Sequence, residues 1–210
     1  MDDQAFKIAE SLLQIKAIKL QPHNPFTWAS GWKSPIYCDN RKILSYPQVR
    51  DTVRDQFTER IKQEFELPDV IAGVATGGIA IGALVAQQLN LPFVYVRSEP
   101  KKHGLTNMIE GVIEEGQTVL IVEDLVSTGN SSLKALKALQ QAGCNVLGML
   151  AIFTYEFKAA DDNFTAANCK LITLSNYSTL IAQALNTKEI SEEDAASLAK
   201  WREAPSEWMQ

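Results

Sequence analysis

Two short, largely apolar runs each lead into a turn of small residues and then into a helical period. The first, Asp69-Val-Ile-Ala-Gly-Val-Ala75, ends in Thr76-Gly77-Gly78. The second, Thr118-Val-Leu-Ile-Val122, runs into Glu123-Asp124 and then Leu125-Val126-Ser127-Thr128-Gly129-Asn130-Ser131. Continuous rather than alternating apolar runs suit strands buried on both faces, as in a parallel sheet covered by helices. Further strands are predicted at Phe93–Val96, Val146–Phe153 and Lys170–Leu174, with helices at Ile79–Leu89 and 131–142. This β-α-β-β-α-β-β succession predicts an α/β fold with an open, mostly parallel sheet flanked by helices.

The ends of the chain are expected to complete that core. Residues 3–18 carry apolar positions at helical spacing until Pro22 and Pro25 break the pattern. Residues 26–45, rich in aromatics, Gly, Ser and Pro, read as hairpins or loops. After Pro47, the residues Val49, Val53, Phe57 and Ile61 form one helix face. Residues 97–116 are polar and too long for a tight connection, which suits a functional lid. Two last helices are predicted at 176–185 and 192–203, the second capped by Ser191 and Asp194. The reading is one domain over 1–210, with a core at about 47–175 and a small hood from about 1–46. Residues 176–210 either join that hood or cap one side of the core, and 97–113 form a mobile loop.

Composition excludes several classes. The chain of 210 residues has a formal net charge of −5 and no basic run longer than Lys101-Lys102-His103, which disfavours a nucleic-acid partner. Cys38, Cys144 and Cys169 are scattered and the only histidines are His23 and His103, so neither a disulfide framework nor a zinc site is expected. No apolar run approaches membrane-spanning length, and the acidic start lacks a leader pattern, so a cytoplasmic location is expected.

Ligands of open α/β sheets bind beyond the carboxyl ends of the strands. There, Ser127, Thr128 and Ser131 supply hydroxyls, Gly129 admits close approach, and a helix N-terminus offers N–H groups to an anion. Glu123 and Asp124 would repel a phosphate, so they should meet hydroxyl groups or a cation. A sugar phosphate satisfies both halves.

Residues 119–131 resemble the signature for 5-phosphoribosyl-1-pyrophosphate (PRPP) of the type I phosphoribosyltransferases. It is not a Walker loop, since no Gly-Lys-Ser/Thr follows. Phe26 to Arg41, with its Ser-Gly-x-x-Ser-Pro core, is similar to the N-terminal segment of the orotate phosphoribosyltransferases. Val96 to Gly104 and Ile109 to Gly111 resemble that family's catalytic loop and its return strand. The resemblance implies transfer of ribose 5-phosphate from PRPP to orotate, giving orotidine 5′-phosphate and pyrophosphate for pyrimidine synthesis. It also implies Mg²⁺ held mainly through PRPP rather than a dedicated protein cage, and a homodimer with shared active sites.

Residue by residue, the resemblance makes Lys101, His103 and Asp124 catalytic. Arg97, Lys101, His103, Thr76, Gly77 and Gly78 would meet pyrophosphate, and Glu123 through Ser131 would cradle the ribose 5-phosphate. Ser127, Tyr37 and Lys33 would meet orotate. Three positions depart from some family members. Ala29 and Ser98 stand where basic residues occur, and Phe153-Thr-Tyr-Glu-Phe157 lacks an Arg that holds orotate. Lys33 or Arg41 is the expected substitute. The competing readings are a transferase for another base and a PRPP-sensing regulator without catalysis.

Overall fold

A computed structural model describes residues 3–28, 31–99 and 108–208. In chain order the elements are α1 (Asp3–Gln14), β1 (Ile18–Leu20), β2 (Phe26–Thr27), β3 (Lys33–Ser34), β4 (Ile36–Cys38), a 3₁₀ turn (Asn40–Ser45) and α2 (Pro47–Glu64). Then come β5 (Val70–Val74), α3 (Gly77–Leu89), β6 (Phe93–Val96), β7 (Ile109–Glu110), β8 (Thr118–Val126) and α4 (Asn130–Gln141). The chain continues through β9 (Asn145–Thr154), α5 (Lys158–Ala166), β10 (Leu171–Asn176), α6 (Tyr177–Asn186) and α7 (Glu192–Glu203).

The described residues form one six-stranded sheet in the order β10-β9-β8-β5-β6-β7. All its pairings are parallel except β6 with β7, so the expected α/β architecture is present. Every residue of β5 is buried, as the all-apolar run requires. Two clusters of buried side chains hold the sheet between its helices. One includes Phe57, Ile71, Leu120 and Leu180, and the other Val70, Val119, Leu136 and Met149.

Several elements differ from the expectations in instructive ways. The helix α3 begins at Gly77, two residues before the predicted Ile79. A Cβ on Gly73 would come within 2.6 Å of the Gly78 carbonyl oxygen, and one on Gly82 within 2.9 Å of the Phe93 ring. Gly73 and Gly82 let α3 sit close on the sheet, and Gly77 and Gly78, predicted as a turn, form its first residues. The strand β8 extends four residues past Val122 and carries both acids inside it. The helix α5 was not foreseen at all. It is the crossover that the parallel strands β9 and β10 demand.

At the N-terminal end, α1 packs against β10 and α6, with Ser175 Oγ donating to the Ala5 carbonyl at 2.9 Å. The short antiparallel pairs β1–β4 and β2–β3 form the hood above the strand ends. The C-terminal helix joins that hood from below. Trp201 of α7 is fully buried among Trp28, Tyr155, Phe157 and Tyr177, all with ring centroids 5.4–5.8 Å away. The predicted cap is present: Ser191 Oγ accepts from Asp194 N–H, and the Asp194 carboxylate accepts from Ser191 N–H.

Candidate active site

Three strand ends and the hood converge on one cleft. At the end of β5, Thr76 is exposed and Gly77 opens α3, and the Thr76 side chain makes no capping hydrogen bond to that helix. A Cβ on Gly77 would collide with the Asp124 carboxylate, which places that carboxylate directly over the start of α3. Arg97, one residue past β6, pairs with Glu110 of β7 at 3.2 Å. Lys101 and His103 lie outside the described residues.

The two acids of β8 do different things. Asp124 is half-buried and faces the cleft beside Gly77. Glu123 is buried at 4% exposure. Its carboxylate accepts from the Asp124 N–H at 2.9 Å and from the Ser132 hydroxyl at 2.8 Å. Burial pushes the Glu123 carboxyl well above its usual value, and the adjoining Asp124 side chain adds to this. Alternation along a strand accounts for the split, because neighbouring side chains leave opposite faces.

Beyond β8, the chain turns at Gly129, which adopts a left-handed conformation (φ +80°) and starts α4, again without a side-chain cap. Ser127 and Thr128 are half-buried, while Asn130 and Ser131 are exposed. Val126 points into the core and Leu125 lies partly open. The unforeseen α5 supports this loop from behind. Asn163 Nδ2 donates to the Thr128 carbonyl at 2.9 Å, and Phe164 sits so close to Gly129 that a Cβ there would lie 2.7 Å from the ring.

Beside the loop lies a cavity of about 450 Å³ lined by Thr27, Trp28, Tyr37, Cys38, Leu125, Ser127 and Tyr155. Its hood wall is aromatic, with Phe26 tilted on Tyr37 at 5.5 Å and Trp28 on Tyr155 at 5.5 Å. Flat faces with a polar rim suit a planar heterocycle. Of the residues expected at a base, Ser127 and Tyr37 line this cavity. Lys33 does not, but its ammonium donates to the hydroxyl of Thr27, which does. Arg41 is turned onto Asp39 at 2.7 Å. In the 153–157 stretch, which lacks the Arg carried by some family members, Tyr155 supplies a buried ring to the cavity.

Two residues of the site escaped the sequence reading. Ser132 anchors Glu123, and Asn40, at 1% exposure, donates from Nδ2 to the Asp124 carbonyl at 2.7 Å. Asn40 also accepts from the Cys38 thiol at 3.3 Å. Burial, then the charges of Asp124 and Asp39, raise that thiol well above its usual value, so Cys38 stays neutral. Other cavities exist, including one of about 370 Å³ between α5 and β10, but its lining includes neither Asp124 nor any residue of 127–131.

The phosphoribosyl transferase domain model matches residues 39–186. The chain is 58% identical over 200 residues to an orotate phosphoribosyltransferase of Bacteroides thetaiotaomicron, covering 95% of this chain and 94% of that one. It is 55% identical over 201 residues to an orotate phosphoribosyltransferase of Porphyromonas gingivalis, covering 96% of each. The crystal structure of orotate phosphoribosyltransferase from Aeropyrum pernix superimposes with a TM-score of 0.75 at 27% identity, covering 84% of this chain and 97% of that one.

Proposed function

The chain belongs to the orotate phosphoribosyltransferase family, and from that premise we propose how its cleft carries out the transfer of ribose 5-phosphate from PRPP to orotate. The observation that supports the reading best is the shared use of β8. Its Asp124 faces the start of α3, its following loop opens α4, and Leu125 and Ser127 form a wall of the aromatic cavity. One strand end thus serves sugar, phosphate and base.

In this reading the 5-phosphate rests on the N–H groups and hydroxyls of residues 127–131, favoured by the α4 N-terminus. Pyrophosphate lies toward Thr76, Gly77 and Gly78 at the α3 N-terminus, near Arg97. Orotate enters the cavity between Tyr37, Trp28 and Tyr155, beside Ser127. Its ring N–H nitrogen displaces pyrophosphate from ribose C1: a C–N bond forms as the C–O bond breaks, the bonding pair leaves with pyrophosphate, and the ring proton passes to solvent. The carbon carries positive charge in between, as in glycosyl transfer generally. Asp124 stabilises that charge and orients the ribose hydroxyls. Glu123 acts from inside, fixing the Asp124 backbone and tying it to α4 through Ser132.

The half-buried Asp124 carboxylate also fits Mg²⁺, which is commonly held by one or two carboxylates together with substrate phosphates. When bound, that ion neutralises charge on the departing pyrophosphate. Lys101 and His103, with Arg97, are assigned to the same leaving group, brought by the 97–113 loop of the other subunit in a homodimer. Mixing Lys101→Ala subunits with Asp124→Asn subunits should then regain part of the lost activity. Absence of any regain would contradict shared sites. No described helix is long and apolar enough to cross a membrane.

The reading is tested by turnover with PRPP and Mg²⁺ against a panel of bases. Orotate should be consumed and hypoxanthine and uracil should not. Consumption of either of those without orotate would overturn it.

A further inference from the structure

The strand β5 pairs with β8 only as far as Gly73 opposite Val122. Past Val74 the chain leaves the sheet and enters α3, so β5 offers no ladder partner to β8 at Asp124. A buried carbonyl without a donor is costly, and strand edges normally avoid it. Here a side chain replaces the missing strand. Asn40 reaches in from the hood and donates to the Asp124 carbonyl at 2.7 Å, across 84 residues of sequence. Asn40 is itself 1% exposed, so its geometry is held by packing rather than by solvent. The other end of the same amide accepts from Cys38, which lines the base cavity. One side chain therefore ties the base wall of the cleft to the ribose-facing strand.

We propose that Asn40 is a positioning residue for the transfer reaction: it sets the orientation of the Asp124 carboxylate by holding that residue's backbone, and it registers the base wall against it. This rests on the assignment of Asp124 to the ribose. Asn40 touches no substrate and acts through Asp124. Misplacement by about an ångström at such a residue is enough to cost on the order of a hundredfold in rate.

The test is a double-mutant comparison of kcat for orotate with Asn40→Ala, Asp124→Asn and the combined variant. Asn40→Ala should lower kcat by about tenfold or more, while the KM for PRPP changes by less than about threefold. In the Asp124→Asn background the same change should cost less than about threefold, because its route of action is already gone. A residue that merely stabilised the fold would reduce both backgrounds equally, and that outcome would overturn the proposal. So would an Asn40→Ala enzyme retaining more than half of the wild-type kcat. Asn40→Asp, which keeps the shape and loses the donor, is read in the same way if the alanine variant does not fold. If Asp124→Asn alone left kcat unchanged, the assignment of Asp124 would fail instead, which is a distinguishable result.

Discussion

Replacement of Gly129 by Ala probes the turn on which the loop at 127–131 depends. Gly129 has φ +80°, a region that costs an L-residue roughly 1–2 kcal/mol. The added Cβ would also sit 2.7 Å from the Phe164 ring, which is buried at 4% exposure and has little room to retreat. Overpacking of this kind typically costs about 1–3 kcal/mol. The two effects together predict a loss of about 2–5 kcal/mol in urea unfolding, with a rise in the KM for PRPP as the loop shifts. Shrinking the obstacle separates the two contributions. With Phe164→Leu already present, Gly129→Ala should lose only its backbone part, giving a favourable coupling of about 1 kcal/mol or more. Strict additivity of the two substitutions, or a Gly129→Ala loss under about 0.5 kcal/mol, would refute the account of this turn.

Three further outcomes are expected. Asp124→Asn preserves volume and should leave the thermal midpoint nearly unchanged while lowering kcat on the order of a hundredfold, measured by loss of orotate absorbance. Glu123 has a raised carboxyl pKa in the folded state, so the folded protein holds its proton more tightly than the unfolded chain does. Stability therefore falls as pH rises from the ordinary glutamate value toward the folded one, and Glu123→Gln should flatten that slope in melting curves from pH 5 upward. An unchanged slope would count against a buried protonated group. Trp201→Ala should cost about 3–5 kcal/mol and also weaken orotate binding, since Trp28 and Tyr155 of the cavity lean on that ring.

The parts legible in the sequence were those with a local signature. The apolar runs of β5 and β8, the Pro47 start of α2 and the Ser191–Asp194 cap each follow from residues within a few positions of one another. The helix α5 was hidden because only Ala160 and Phe164 in its nine residues are buried, too few for a helical stripe. The rule that parallel neighbours need a crossover was the available signal. The acids at 123 and 124 were legible as a pair, but their separation into one buried and one cleft-facing carboxylate depended on how far β8 continues. Asn40 had no local signature at all, since its hydrogen bond to the Asp124 carbonyl exists only once the hood folds over the end of β8. Lys101 and His103 fall outside the described residues, so the structure places neither.

In the proposed cleft the loop at 127–131 and the aromatic cavity form one continuous site for a nucleotide. Calorimetric titration of orotidine 5′-phosphate against ribose 5-phosphate tests this directly. If both regions are engaged together, orotidine 5′-phosphate should bind at least about tenfold more tightly, which is about 1.4 kcal/mol contributed by the base. Equal affinities would mean that the cavity does not receive the base, and the account of the cleft would be wrong.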